Sequence, residues 1–447
     1  MTQQPSAAKP AWRPLLQPSQ AVGALEVARD IAKRMRDPNY VERVTILAQE
    51  QTRIPGATYW LPYGLAQGWA GLAVMCGYLD ACFPEEGWDV TGHTYLTLAS
   101  RGAEGKPSLP SALWAGLSGL GFATWSLSRA GTRYQKLLST IEQALIPQVV
   151  KEAQALSLQR NGVAVSRFDV ISGLSGAGAY LLLRKDNPSI ASAARVILEA
   201  LIGLTHDNAG LPYWHSPPHT LTRFSHEQYP DGNLNCGLAH GIPGPLALLS
   251  LAYLDGIRVE GLPESIRRIV EWLISHRADD QWGMNWPSAV PLGVEGPRNG
   301  TRSAWCYGSP GVARSLFLAG KALEIPEYQD LAIAAMEAIY LRPIEKRNIE
   351  SPTFCHGIAG LLHITLRFMN DVDGRQRGSF EIAAKELMSQ LLDLYEPESL
   401  LGYRSVEYSG SLVDQPGLLN GAPGVAMVLL AASRSAEPVW DRPFLLA

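Results

Sequence analysis

A Gly-x-x-Gly skeleton recurs seven times along the chain, as Gly68-Trp69-Ala70-Gly71, Gly116-Leu117-Ser118-Gly119, Gly173-Leu174-Ser175-Gly176, Gly241-Ile242-Pro243-Gly244, Gly308-Ser309-Pro310-Gly311, Gly357-Ile358-Ala359-Gly360 and Gly421-Ala422-Pro423-Gly424. The first glycines are 48, 57, 68, 67, 49 and 64 residues apart. Uneven spacing around a constant core describes one supersecondary unit repeated with its insertions confined to loops. Each copy is followed by small and apolar residues (72–79, 120–127, 177–183, 245–254, 312–322, 361–369 and 425–432), which read as helices buried on nearly every side.

Longer segments between the copies carry the opposite pattern. Residues 21–36, 131–153, 189–204, 264–277, 327–341 and 380–394 place apolar side chains at helical spacing with charges between, as in Ile266, Ile269, Val270 and Leu273 among Arg267, Arg268 and Glu271. The pairing predicts an all-α fold, an α/α toroid of seven inner and seven outer helices, with room for a small insertion in the loops. Its glycines would let backbones approach closely or permit positive φ where each inner helix begins. Pro243, Pro310 and Pro423 suit a first helical turn, where a missing N–H costs little.

One toroid domain is predicted over residues 21–447, preceded by a flexible arm at 1–20. That arm is polar and proline-rich, without the apolar stretch of a signal peptide or membrane span. With 46% hydrophobic residues, 18% charged residues and a net charge of -4, the composition is that of a soluble globular protein without the basic excess that favours nucleic acid. A cytoplasmic location is expected. Five cysteines in a chain of 447 residues without an export signal argue against a disulfide framework and for metal or catalytic use.

The segments 207–237 and 278–302 are long, irregular and aromatic, a composition more common on functional surfaces than in connectors. Tyr213, Trp214, Trp282 and Trp286 are therefore expected on loops at the mouth of a pocket. The sequence does not decide whether these segments, or residues 83–110, contain short strands.

If the seven copies are equivalent, the residues before their first glycines (Gln67, Ala115, Ser172, His240, Tyr307, His356 and Asn420) form a ring at one end of the barrel and floor a pocket. Cys306 and Cys355 each stand two residues before the glycine in adjacent units, with His356 beside Cys355. Taken singly, such residues are ordinary buried side chains. Sharing a register in neighbouring units, they come within reach of one ion, and two thiolates with one imidazole suit Zn²⁺ with its fourth position open for catalysis. Such a site binds an incoming thiol as thiolate. Its addition to an alkene then needs a proton donor, for which His240 is the candidate. Asp169 would orient the imidazole and Arg302 would stabilise developing negative charge, although either also fits a structural ion pair.

The segments Leu238-Ala239-His240-Gly241-Ile242-Pro243-Gly244-Pro245, Trp305-Cys306-Tyr307-Gly308 and Cys355-His356-Gly357 closely resemble the signature of the lanthionine synthetase C-like family, in particular its class I lanthipeptide cyclases. The resemblance covers residues 64–447. It implies an α/α toroid that adds peptide cysteine thiols to dehydroalanine or dehydrobutyrine, forming lanthionine and methyllanthionine rings. It also implies zinc on Cys306, Cys355 and His356, with acid–base or positioning roles for Asp169, His240, Arg302 and Tyr307. The implied partners are a precursor peptide with a leader, a dehydratase that acts first, and a transporter that would bring the complex to a membrane. Three other readings share some of these features: an enzyme joining glutathione to dehydrated residues in proteins, a peptide-binding scaffold with a structural zinc, and a toroid glycosidase. The last needs a carboxylate pair in the pocket, and only Asp169 lies near a motif.

Overall fold

The computed structural model describes residues 11–293 and 300–447. The helices run in order α1 (Val22–Arg34), α2 (Pro38–Gln51), α3 (Trp69–Cys82), α4 (Trp88–Ala103), α5 (Leu117–Ser126), α6 (Gln135–Ser157), α7 (Leu174–Leu183), α8 (Pro188–Leu204), α9 (Arg223–Gln228), α10 (Pro243–Leu254), α11 (Leu262–Ser275), α12 (Ser309–Leu323), α13 (Pro326–Leu341), α14 (Ile358–Asp371), α15 (Gly374–Asp393) and α16 (Ala422–Ser433). Among the described residues α3, α5, α7, α10, α12, α14 and α16 form the inner wall, each touching the next, and α16 returns to α3. The outer helices α4, α6, α8, α11, α13 and α15 each pack on the inner helix before them in the chain, and α1 covers α16. This is the predicted toroid of seven inner and seven outer helices.

Local chemistry explains the two layers. Leu262, Ile266, Ile269, Val270 and Leu273 bury one stripe of α11, whereas every residue of α16 is buried. Pro243, Pro310 and Pro423 occupy the first turns of α10, α12 and α16, as expected.

The motifs are tied together by a circuit of backbone hydrogen bonds. Ala66 N donates to Trp114 O (3.2 Å), Trp114 N to Ile171 O (3.5 Å), Val170 N to Ala239 O (3.0 Å) and Ala239 N to Cys306 O (3.3 Å). Cys306 N then donates to Cys355 O (3.2 Å), Cys355 N to Leu419 O (3.1 Å), and Leu419 N to Ala66 O (3.2 Å), closing the ring. Apart from Val170, every residue in it stands two places before a motif's first glycine. Close approach is what the glycines provide: a methyl on Gly119, Gly176 or Gly360 would meet the carbonyl oxygen of Leu113, Val170 or Phe354, each next to a member of the circuit or in it. Positive φ, the other role expected for them, holds at one place only. Of the seven first glycines, all described, only Gly308 lies in the left-handed region, at φ 98°.

The structure departs from the expected arm and fills in segments that the sequence left undecided. Residues 11–20 do not form a free arm: Trp12 and Leu15 are buried, Trp12 Nε1 donates to Ala431 O (2.8 Å), and Leu16 N donates to Ala432 O (3.0 Å). The apolar rings of this segment cover the end of α16; the rest of the expected arm, residues 1–10, lies outside the described residues. Residues 83–110 supply the outer helix α4. Among the described residues three two-stranded antiparallel ribbons decorate the loops: β1 (Asp207–Asn208) with β2 (Leu211–Pro212), β3 (Asn233–Asn235) with β4 (Ala289–Pro291), and β5 (Ser405–Val406) with β6 (Leu412–Val413). The pair β3–β4 joins the two long segments to each other.

Two of the four aromatic rings expected at a pocket mouth are wall packing instead. Trp286 is fully buried and its Nε1 donates to Leu273 O of α11 (2.8 Å), while Trp214 is buried edge-on against Trp272 of the same helix (5.7 Å). Tyr213 and Trp282 are half-buried. Loops that bridge an outer helix to a motif must seal the gap between layers, and large rings seal it.

The barrel centre is filled by the final stretch of chain, which the sequence pattern gave no reason to place there. A 3-10 helix, Val439–Phe444, carries Phe444 into ring contact with Trp114 (4.8 Å), Trp305 (5.1 Å) and Phe354 (4.0 Å), residues of three different motifs. Asp441 bonds His363 Nε2 (2.7 Å) and Arg367 Nε (2.5 Å) of α14, all three buried.

Candidate active site

Because every motif enters the hydrogen-bond circuit at the same place, the circuit sets Cys306 and Cys355 side by side. Their backbones are bonded directly, and each thiol shifts the other's ionisation. The Cys355 thiol beside it, with help from the Arg302 charge, outweighs burial and lowers the pKa of Cys306; the Cys306 sulfur, together with burial, pushes Cys355 well above the usual thiol range. The pair therefore gives up its first proton readily and holds the second. A nearby cation would release that one too.

His356 follows Cys355 and is held neutral, its pKa pushed down to about 4 by burial and by the Arg302 charge. Neutral imidazole is the form that binds metal. Its ring stacks on Tyr408 (6.4 Å between centroids, 17° between planes), and the Arg302 guanidinium lies 4.9 Å over that same tyrosine ring. Among the described residues no three His, Cys, Asp or Glu side chains are gathered as a metal site. A cavity of about 720 Å³ opens here, lined among others by Arg302, Glu350, His356, Tyr408, Gln415 and Asn420.

The second half of the site is a dyad. His240 Nδ1 lies 2.7 Å from Asp169 Oδ2, and the carboxylate's other oxygen accepts from Ser172 N (2.7 Å) and Gly173 N (2.8 Å) at the entrance to α7. Asp169 is buried, while the His240 side chain is 38% exposed, so the imidazole reaches out from an immobilised base. Burial alone would lower the His240 pKa, but the bond to Asp169 and the charges of Asp169 and Cys306 reverse this and raise it. Tyr307 stands 6.3 Å from His240 between centroids, and its hydroxyl accepts from Asn235 Nδ2 (3.2 Å). Burial pushes the Tyr307 pKa up to about 12, so it stays a neutral phenol.

The sequence-predicted residues thus fall into two groups: the Cys306–Cys355 pair with His356 and Arg302, the last two on the Tyr408 ring, and Asp169 with His240 beside Tyr307. Of the predicted pocket floor, His356 and Asn420 line the cavity, whereas Gln67 is buried under the loop that it braces, accepting from Tyr59 N (3.1 Å). Two participants were missed. Asn235 fixes Tyr307 and stands six residues before Gly241, the place Arg302 holds before Gly308, so the register carried a signal for it. Tyr408 belongs to no motif and left none.

A family model described as "Lanthionine synthetase C-like protein" matches residues 59–445. The chain belongs to the lanthionine synthetase C-like family. It is 27% identical over 302 residues to the nisin biosynthesis protein NisC of Lactococcus lactis subsp. lactis, an alignment spanning 66% of this chain and 71% of that one. The solved structure of nisin cyclase superposes with a TM-score of 0.74 at 23% identity, covering 91% of this chain and 97% of that one, a likeness of fold. As a lanthionine synthetase C-like protein, the chain has no described helix long and apolar enough to cross a membrane.

Proposed function

We propose that this protein is a zinc-dependent lanthipeptide cyclase, which adds cysteine thiols of a dehydrated precursor peptide to dehydroalanine or dehydrobutyrine and forms (methyl)lanthionine rings. The observation that carries the reading is the juxtaposition of the bonded Cys306–Cys355 pair with the Asp169–His240 dyad on one rim of the toroid. NisC, by name a nisin biosynthesis protein, supports the choice of peptide chemistry. A dehydratase must act first, because the alkene is the reaction's electrophile, and a transporter is the expected downstream partner.

Cys306, Cys355 and His356 would hold the zinc: two thiols and a neutral imidazole carried by adjacent motifs are a donor set whose chemistry suits it. When bound, zinc would lower the pKa of an incoming peptide thiol and hold it as thiolate. The sulfur then bonds to the β-carbon of the dehydroamino acid, and the electron pair of the alkene moves toward the carbonyl. Arg302 is the cation on the cavity wall that would stabilise that charge. The α-carbon must finally gain a proton. Nδ1 of His240 is engaged by Asp169, so Nε2 is the nitrogen left to deliver it, and the proton given up by the incoming thiol replaces it, so that each ring closure leaves the proton count unchanged. Tyr307, neutral and fixed by Asn235, would position that imidazole.

The test is mass spectrometry of the dehydrated precursor after thiol alkylation, since cyclisation leaves mass unchanged and each ring removes one alkylatable thiol. The wild-type protein should abolish alkylation, and His240→Ala should slow ring closure by roughly 10²–10⁴-fold while retaining zinc. Full alkylation after incubation with wild-type protein would exclude the reaction. Normal rates in His240→Ala would move the proton donor elsewhere.

A further inference from the structure

Tyr408 lies at the turn of the β5–β6 hairpin and is 81% exposed, although its ring carries the two stacking contacts of His356 and Arg302. An exposed tyrosine on a turn is ordinarily free to rotate, and this one sits on a braced turn. Glu407 N donates to Ser411 O (2.9 Å) and Gly410 N to Glu407 O (2.8 Å), with Gly410 at φ 77°, where other residues would be strained. The Glu407 carboxylate accepts from Thr52 Oγ1 (2.5 Å) and Arg53 N (3.2 Å) just beyond α2. At the far end of the hairpin, Gln51 of α2 bonds Asp414 twice, accepting from its N (2.9 Å) and donating to its carboxylate (3.4 Å). Helix α2 is not one of the fourteen toroid helices, and this clamp is work that it does.

We propose that Tyr408 is a positioning residue of the site: it sets the orientation of the His356 imidazole and the Arg302 guanidinium by holding both against one ring, and α2 holds the hairpin that presents it. The geometry is that of a ring stack and a cation over an aromatic face, both within interaction range. The cavity is lined by the same hairpin, through Ser405, Val406, Glu407, Tyr408 and Gly410, so a substrate entering it passes along this rim. The inference rests on the proposed cyclase reading for its consequence in turnover. It does not need that reading for its structural part.

The experiment uses the full-length chain, stripped of metal by a chelator and checked by circular dichroism for intact helix content. Diethyl pyrocarbonate modifies exposed imidazoles, and peptide mapping reads His356 separately from the other histidines. Tyr408→Ala should accelerate His356 modification roughly two- to twelvefold, the factor that one aromatic contact corresponds to. Tyr408→Phe keeps the ring and should leave the rate unchanged, while Glu407→Gln weakens the clamp and should fall between. Equal His356 reactivity in wild type and Tyr408→Ala would overturn the proposal, as would acceleration in Tyr408→Phe to the level of the alanine variant. In turnover, Tyr408→Ala should lower kcat with Tyr408→Phe restoring it; a change in KM alone would reduce Tyr408 to a contact for the peptide and also overturn the positioning role. If no variant, wild type included, closes rings, the cyclase reading fails, and His356 reactivity still decides the role of Tyr408.

Discussion

Phe444→Ala tests whether the barrel plug supports the site above it. The ring is fully buried and meets Phe354 at 4.0 Å, Trp114 at 4.8 Å, Trp305 at 5.1 Å and Trp440 at 5.9 Å. Removing such a ring from a packed core costs about 3–5 kcal/mol, the upper end applying where the surroundings cannot collapse. They cannot collapse easily here, because Trp305 and Phe354 are pinned by the hydrogen-bond circuit that runs through the residues following them, Cys306 and Cys355. The same substitution should therefore weaken binding of the proposed zinc without touching a candidate ligand. Urea unfolding followed by tryptophan fluorescence reads the first effect as a lower midpoint, and competition with a chromophoric chelator reads the second. Leu158→Ala, at a side chain 77% exposed, is the control and should change neither. A stability loss below about 1 kcal/mol, outside the range for a buried aromatic ring, would refute the packing argument. Unchanged zinc affinity would refute the link from plug to site.

Asp169→Asn should lower the His240 pKa from its raised value, since the amide carries no charge and burial then dominates; proton NMR titration of the imidazole checks the direction. The same measurement carries a stability consequence with a definite sign. A raised His240 pKa stabilises the fold below the unfolded value of 6.5 and loses that contribution as pH rises through the folded value, so the variant's stability should fall less than the wild type's as pH rises above 6.5. At acid pH one contributing group is Asp371, which burial would push up but which Arg314 and Lys321 hold down to about 2. Its contribution is complete above the unfolded value near 3.8 and lost as pH falls toward 2, so Asp371→Asn should be less stable at pH 7 and show a shallower acid transition by circular dichroism.

The toroid was legible because its symmetry is written in glycine: a position where any side chain would strike a carbonyl oxygen admits no substitute, so the register survives insertions of any length between units. The same register brought Cys306 and Cys355 together, because circuit positions are equivalent whatever residue fills them. What lay outside the register was not readable. Trp286 and Trp214 look alike in sequence whether they face solvent or α11, since an aromatic residue in an irregular segment has no periodicity to orient it. The segment 439–447 was opaque for a related reason. Nothing local says that it enters a barrel, because its partners Trp114, Trp305 and Phe354 are scattered over 240 residues and meet only once the ring has closed. Tyr408 depends on a clamp between residues 51–53 and 407–414, a contact between distant segments that neither carries alone.

The central claim is that Cys306, Cys355 and His356 form one metal centre with an open position, and cobalt substitution tests it most directly. The account predicts one Co²⁺ per chain with the visible bands of a tetrahedral site and a near-ultraviolet sulfur-to-cobalt transition that weakens in Cys306→Ala and in Cys355→Ala. Added thiol should shift the visible bands. A cobalt spectrum without the sulfur transition, and unaltered by either substitution or by thiol, would contradict it.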